Sequence, residues 1–357
     1  MKRQILTSAV GIITALLVGL IIMAVQGYPA FDSYYQLFNY SLFSKFSFFS
    51  TLAKTAPLIL TGLSAAVAFG SNAVNLGQVG QFLIGGISVT AAGLYIDLPP
   101  VVMIPLLIFI ALLSGALYSG IAAWLRLKFN MDEFITTLML NFVAQYFTMY
   151  LISGPLLDKE LFSPMTRPIN KSGWLPDLGG LDSTIIISII LLIIIYFIWH
   201  HTKAGYEWKV MGSNEMFAKA GGANIDKNYL KIMLISGALA GMAGAMLVMG
   251  GVQHRFLKGI GANYGWDGVM IAVVADSSII GTAFYSFFFA MIQTGAMGME
   301  LETSVPSEFV LILQSITVLF VVASRKSAHL LLNRINILLR MKNIKSGGGI
   351  KEDEFID

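Results

Sequence analysis

VVMIPLLIFIALLSGALYSGIAAWL, residues 101–125, is an unbroken run of 25 residues with no acidic or basic side chain. At about 1.5 Å of helical rise per residue it exceeds the roughly 30 Å of a bilayer's hydrocarbon core. Its only hydroxyls are Ser114, Tyr118 and Ser119, too few to give it a water-facing side. It reads as a membrane-crossing helix. Working outward, nine further apolar runs fall at Ile5–Val25, Leu52–Phe69, Phe82–Tyr95, Phe134–Ile152, Thr184–Trp199, Ile232–Gly250, Gly268–Ala275, Ile279–Met297 and Phe309–Ala323. The pattern predicts an all-α polytopic membrane protein with about ten transmembrane helices. Ile5–Val25 follows Lys2 and Arg3 and is not succeeded by an A-x-A-like site, which predicts an uncleaved first helix.

Composition agrees. Hydrophobic residues make up 56% of the 357, and charged residues 12%, against about 25% charge in soluble domains. That excludes a soluble globular protein, a disordered chain and a nucleic-acid binder. The absence of cysteine excludes disulfides, thiolate chemistry and Cys-ligated metals. His200, His201, His254 and His329 are too scattered for a metal cage.

Basic residues orient the spans, because cytoplasmic flanks carry the excess of Lys and Arg. With the N-terminus inside and alternating spans, sixteen of the 23 basic residues fall inside, while Lys45, Lys54, Lys159, Arg167, Lys171, Arg255 and Lys258 fall outside. This predicts N-in, C-in. Residues 1–324 then form a transmembrane domain with an external loop at 154–183 and an internal segment at 202–230. Residues 325–357 form a cytoplasmic tail, basic and then acidic.

Catalytic signatures are missing. No G-x-x-x-x-G-K-[ST], G-x-S-x-G or H-E-x-x-H occurs, so no catalytic residue, metal or cofactor is expected. Asp97, Asp267, Asp276, Glu300, Glu302 and Glu308 fall near helix ends, whereas a proton-coupled carrier is expected to bury a carboxylate in mid-span. Any driving energy then comes from a partner.

Uncharged amides stand in or beside the spans: Asn75, Gln78 and Gln81 between the second and third helices, Asn141 and Gln145 four apart on the fifth, and Gln293 on the ninth. Such groups hydrogen-bond between helices. They also suit a path for an uncharged polar solute, because an amide both donates and accepts. Trp266 and Tyr264 add aromatic faces that stack on a ring or belong to an interfacial belt. Two hexads, Asn75-Leu76-Gly77-Gln78-Val79-Gly80 and Asn263-Tyr264-Gly265-Trp266-Asp267-Gly268, share the pattern N-x-G-x-x-G, each after a helix rich in small residues. Those helices run oppositely, so the hexads suggest an inverted repeat relating helices two to five with seven to ten, as occurs around transport paths. Gly237, Gly241 and Gly244 with Ala240 form a small-residue ladder for close helix packing.

The internal segment contains Gly212-Ser213-Asn214-Glu215-Met216-Phe217-Ala218-Lys219-Ala220-Gly221-Gly222. Asn214 can cap a short helix and Gly221 or Gly222 can end it. Met216, Phe217 and Ala220 would share an apolar face, for docking a partner or for lying on lipid.

That segment, followed by Ser236-Gly237-Ala238-Leu239-Ala240-Gly241-Met242-Ala243-Gly244, resembles the permease subunits of ABC importers for branched-chain amino acids, monosaccharides and nucleosides. Pro57-Leu58-Ile59-Leu60-Thr61-Gly62-Leu63, Asn75 to Gly86 and Gly265-Trp266-Asp267-Gly268 are similar to the same branch. Glu133 to Asn141 and Val305-Pro306-Ser307-Glu308 most resemble its nucleoside permeases. The resemblance covers about residues 50 to 324. It departs at Asp276-Ser277-Ser278, where the family usually carries glycine, asparagine and proline.

The resemblance implies a bacterial cytoplasmic membrane, separate ATPase subunits docking on Gly212, Asn214, Met216, Phe217, Ala220 and Gly221, a second and often non-identical permease, and an extracellular binding protein that delivers solute. A nucleoside is the expected solute, with a monosaccharide or branched-chain amino acid as alternatives. A secondary carrier or a non-transporting scaffold would lack the ATPase partner.

Overall fold

A proline at the first position begins one helix, and side-chain caps begin five others. The structure, a computed structural model, describes residues 2–160, 163–251, 253–261 and 263–324. The expected cytoplasmic tail at 325–357 lies outside them. Helix α1 spans Lys2–Val25 and α2 Ala30–Phe38, the latter running into a π-turn at Asn39–Phe43. Then come α3 (Lys45–Gly70), α4 (Gln78–Tyr95), α5 (Pro100–Phe129) and α6 (Glu133–Ser153). A 3₁₀ turn at Lys171–Gly173 and a hairpin of β1 (Asp177–Leu178) with β2 (Leu181–Asp182) precede α7 (Thr184–His201). After it lie α8 (Lys203–Ser213), α9 (Glu215–Ala220), α10 (Ile225–Met249), α11 (Tyr264–Val274), α12 (Ile279–Thr303) and α13 (Phe309–Ser324).

Helices α1, α3, α5, α6, α7, α10 and α12 are each long and apolar enough to cross a membrane. The chain is an all-α polytopic membrane protein. All ten apolar runs are helical. The segment from Ala30 to Phe43 is helical although it lies outside the apolar runs, and α3 starts seven residues before the apolar run at Leu52. Lys54, assigned from sequence to an external flank, is therefore inside a helix.

The contacts define two units. In one, described residues 2–31 and 308–324, Gly11 of α1 lies so close to the Val321 backbone of α13 that a β-carbon there would collide. The other, residues 32–307, holds the polar elements. Within it α10 packs on α4 and α5, α3 packs on α11 and α12, and α3 and α10 touch each other.

The larger unit has two ends. At one, the Gly212 backbone abuts Gly70 of α3, the Trp208 indole donates to Asn228 of α10, and Arg126 of α5 is ion-paired with Glu133 and lies over the Tyr229 ring. Helices starting here are capped by side chains: Asp132, Thr202, Asn214, Asn224 and Ser278 each accept from an amide of the following turn. At the opposite end the 154–183 segment crosses the helix termini. The Asn170 backbone donates to Gly93 and its side chain to Ile96, and Leu175 donates to Met249. That segment is a capping loop. His254 stacks on Trp174 there at 3.8 Å; burial outweighs nearby backbone carbonyls and Asp182 and holds its imidazole below the usual histidine range. Since α3 ends where α10 begins, the two run antiparallel.

Candidate functional site

Between α3 and α4 the chain turns at Asn72 (φ 58°) and passes through a largely buried non-helical stretch before α4 starts at Gln78. A helix that starts inside a protein leaves amide donors that water cannot reach. Side chains meet that need. Asn141 Oδ1 accepts from the Gly80 amide at 2.7 Å, while its Nδ2 donates to the Leu76 carbonyl at 2.8 Å. Asn141, on α6, thus caps α4 from a neighbouring helix. Asn75 Oδ1 accepts from the Gly77 amide and from Gln81 Nε2, and Asn75 Nδ2 donates to Gln81 Oε1 and to Ser236 Oγ. Gln78 Nε2 donates to the Asn75 carbonyl. Ser236 Oγ and Ser64 Oγ, 3.0 Å apart, join α10 to α3.

Asn75, Gln78, Gln81 and Asn141 are accordingly buried and occupied with the break. Only Gln78 Oε1 among their side-chain polar atoms has no partner among the described residues. Gln145 is elsewhere, exposed on α6 between Phe142 and Tyr146.

The two N-x-G-x-x-G hexads come together. Each opens a helix, α4 and α11. Gly265 approaches Val79 so closely that a β-carbon would meet its backbone nitrogen at 2.7 Å, and Tyr264 stacks on Phe82 at 6.1 Å. Gly268 leaves the same tight space for Thr61 of α3. Thr61 stands nine residues before the end of α3, so the first turn of α11 lies ~14 Å in from that end.

This depth changes the reading of Asp267. Sequence placed it near a helix end, and it is in the first turn of α11, but that turn starts inside the molecule. Asp267 is buried, 3% exposed, and Gln293 Nε2 of α12 donates to its Oδ2 at 2.8 Å. The expectation that the spans carry amides in place of carboxylates is corrected: an amide and a carboxylate pair in the interior. The Gln293 carbonyl in turn accepts from Lys54 Nζ at 3.4 Å, with Met297 Sδ at 3.6 Å. Trp266 is 44% exposed beside them in sequence. Neither Lys54 nor Asp267 is among the path residues that the sequence suggests. Charge within an apolar run was the available signal for Lys54; the partnership of Asp267 depends on long-range packing.

The turn at Asp276-Ser277-Ser278 closes without glycine, with Asp276 and Ser277 both at φ 55°, and Ser278 Oγ caps α12 at Gly281. Positive φ costs ordinary side chains energy but is least unfavourable for short polar ones.

At the capped end, α9 is a six-residue helix. Asn214 Oδ1 accepts from the Phe217 amide at 3.0 Å, and the Gly221 amide closes the far end on Phe217 O. Ala218 is buried and anchors the turn. Met216 is 81% and Phe217 64% exposed, and Ala220 shares their exposure. The Gly212 backbone fits against Gly70 where no larger residue could. Among the described residues no group of His, Asp or Glu could hold a metal.

A break inside a helical membrane protein and an exposed apolar helix at one end are features of a transport subunit. Residues 47–322 match the family model described as the branched-chain amino acid transport system / permease component. The chain belongs to that family and is an ABC transporter permease. It is 32% identical to the guanosine ABC transporter permease protein NupP of Bacillus subtilis, over 90% of this chain and 94% of that one. It is 32% identical to the nucleoside ABC transporter permease protein NupB of Lactococcus lactis, over 89% and 91%. It is 29% identical to the glucose ABC transporter permease protein TsgB13 of Haloferax volcanii, over 89% and 87%. No solved structure matches it significantly.

Proposed function

We propose that this permease carries nucleosides into a bacterial cell across its cytoplasmic membrane, driven by separate ATPase subunits that dock on α9. Ten spans run N-in, C-in, so α9 faces the cytoplasm and the 154–183 loop faces outward, where a binding protein delivers solute. A second permease covers the α3–α11–α12 side, and lipid the apolar faces of α6 and α7. The two hexads are the centres of an inverted repeat whose helices enclose the path.

One observation carries the coupling assignment: a capped helix that buries only Ala218 and presents Met216 and Phe217 to solvent. Exposed apolar side chains at a water-facing end are a docking feature. The solute assignment is supported by the relatives. Guanosine, nucleosides and glucose share hydroxyls and no charge, and two of the three are nucleoside systems. Of the candidate path residues that the helix break leaves unoccupied, Gln145 lies exposed on α6 and Gln293 and Trp266 remain beside the path, with Asn75, Gln78, Gln81 and Asn141 holding its wall.

Phe217→Asp tests the assignment, since sealing a carboxylate into an apolar interface costs roughly several kcal/mol. The variant should reach the membrane in normal amount yet lose both co-purification with the ATPase and solute-stimulated ATP hydrolysis. Normal uptake by the variant would refute the coupling role.

A further inference from the structure

We propose that Asp267, Gln293 and Lys54 form a contact site for the vicinal hydroxyls of the solute's ribose. This rests on the nucleoside reading above and adds to it a recognition chemistry and two residues.

Three helices bring these groups to one place. Gln293 of α12 donates its amide to Asp267 Oδ2 of α11, and its backbone carbonyl meets Lys54 Nζ of α3. Each keeps unused capacity. Among the described residues nothing donates to Asp267 Oδ1, and the Gln293 side-chain oxygen accepts nothing. Among the described residues Lys54, with three donor hydrogens, directs them only to a carbonyl at 3.4 Å and a thioether at 3.6 Å. The site is therefore short of one partner that both donates and accepts.

Its surroundings argue that the partner is a solute. Lys54 is nine residues into α3, ~14 Å from its start, well within the depth of a membrane. Neighbouring Met297 is 49% exposed, Trp266 44%, and Lys54 and Gln293 are half-buried. A charge held at this depth against lipid is costly, so such groups face water or protein. A vicinal diol meets both needs: one hydroxyl donates to Asp267 Oδ1 or Gln293 Oε1 while its neighbour accepts from Lys54. A carboxylate is also the group that binds a ribose diol in dinucleotide sites.

The test uses the assembled transporter with its own binding protein in proteoliposomes. Labelled uridine uptake is compared with that of 2′-deoxyuridine and 3′-deoxyuridine for the native permease, Asp267→Asn and Lys54→Met. One hydrogen bond to a charged group corresponds to about a tenfold change. The expected result is about tenfold loss of uridine uptake in Asp267→Asn, with the deoxy analogues much less affected. Because the same binding protein serves every variant, its own selectivity cancels. A second readout does not depend on either substitution. The chain has no cysteine, so Met297→Cys gives one reporter beside Lys54. Uridine during turnover should slow its labelling several-fold more than 3′-deoxyuridine does.

Equal loss for all three solutes, or equal protection by them, overturns the hydroxyl site while leaving the nucleoside reading intact. Absence of uridine uptake by the native assembly overturns the nucleoside reading itself. Leucine uptake that depends on Asp267 and Lys54 overturns both, because a zwitterion would then be the partner of the two charges.

Discussion

Helix α10 packs on α4 and α5 as α3 packs on α11 and α12, and glycines give close approach on both sides, yet the two differ in what else lines them. On the α10 side backbone touches backbone. Gly237 and Gly241 lie against Gly115 of α5, Gly241 against Gly85 of α4, and Gly244 against the Phe82 carbonyl. Any β-carbon at these contacts would overlap backbone atoms, which cannot move aside as a side chain can. On the α3 side the contacts carry polar groups: Lys54, Asp267 and Gln293, with Tyr285 Oη, Ser286 Oγ and Thr294 Oγ1 buried and unpartnered among the described residues. The difference teaches that one side is a fixed seam, where small residues give close dispersion contact. The other keeps hydrogen-bonding capacity that packing does not consume.

Substitution should expose that contrast. The largest effect is expected from Gly241→Leu, which inserts a side chain between three helix backbones. Overpacking commonly costs about 1–3 kcal/mol, and contact with backbone places this variant at or above the upper end. Membrane extracts should contain little folded protein. Normal yield and melting would show that the seam is not close-packed.

Next comes the helix break. Asn141→Leu leaves the Gly80 amide and Leu76 carbonyl without partners in the interior. Each orphaned group costs about 1–3 kcal/mol, so a destabilisation of about 3 kcal/mol is expected, read as earlier thermal unfolding in detergent. An unchanged melting curve would mean that another group can cap α4.

The smallest effect belongs to the polar side. Thr294→Val exchanges an unpartnered hydroxyl for a methyl of the same shape, and should be neutral or stabilising by about 1 kcal/mol. A clear loss of stability would reveal a hydrogen bond made by that hydroxyl and weaken the contrast.

Much of this was legible in the chain. The ten apolar runs are all helices, because a hydrophobic stretch of this length has few other ways to satisfy its backbone in lipid. The cap at Asn214 and a stop at the Gly221-Gly222 pair, which falls at Gly221, were readable because capping is local. The hexads were readable as a repeated pattern, and the structure brings them into contact through Gly265 and Val79.

Three features were not legible. Asn75 and Asn141 are 66 positions apart, so no local rule says that both serve the start of α4. Asp267 occupies a first helical turn, which sequence reading treats as solvent-near; only the re-entrant path into α11 puts it in the interior. The Ala30–Phe43 segment mixes Asp32, Ser33 and Gln36 with aromatics, a pattern too polar for a span and too short for a strong helical period.

The central claim is that this permease imports nucleosides, and solute competition tests it most directly. In cells that depend on this permease for uptake, labelled uridine or guanosine entry should fall when unlabelled nucleosides are added and should ignore excess ribose, glucose and leucine. Loss of glucose or leucine uptake on deleting the gene, with nucleoside uptake unchanged, would contradict the claim.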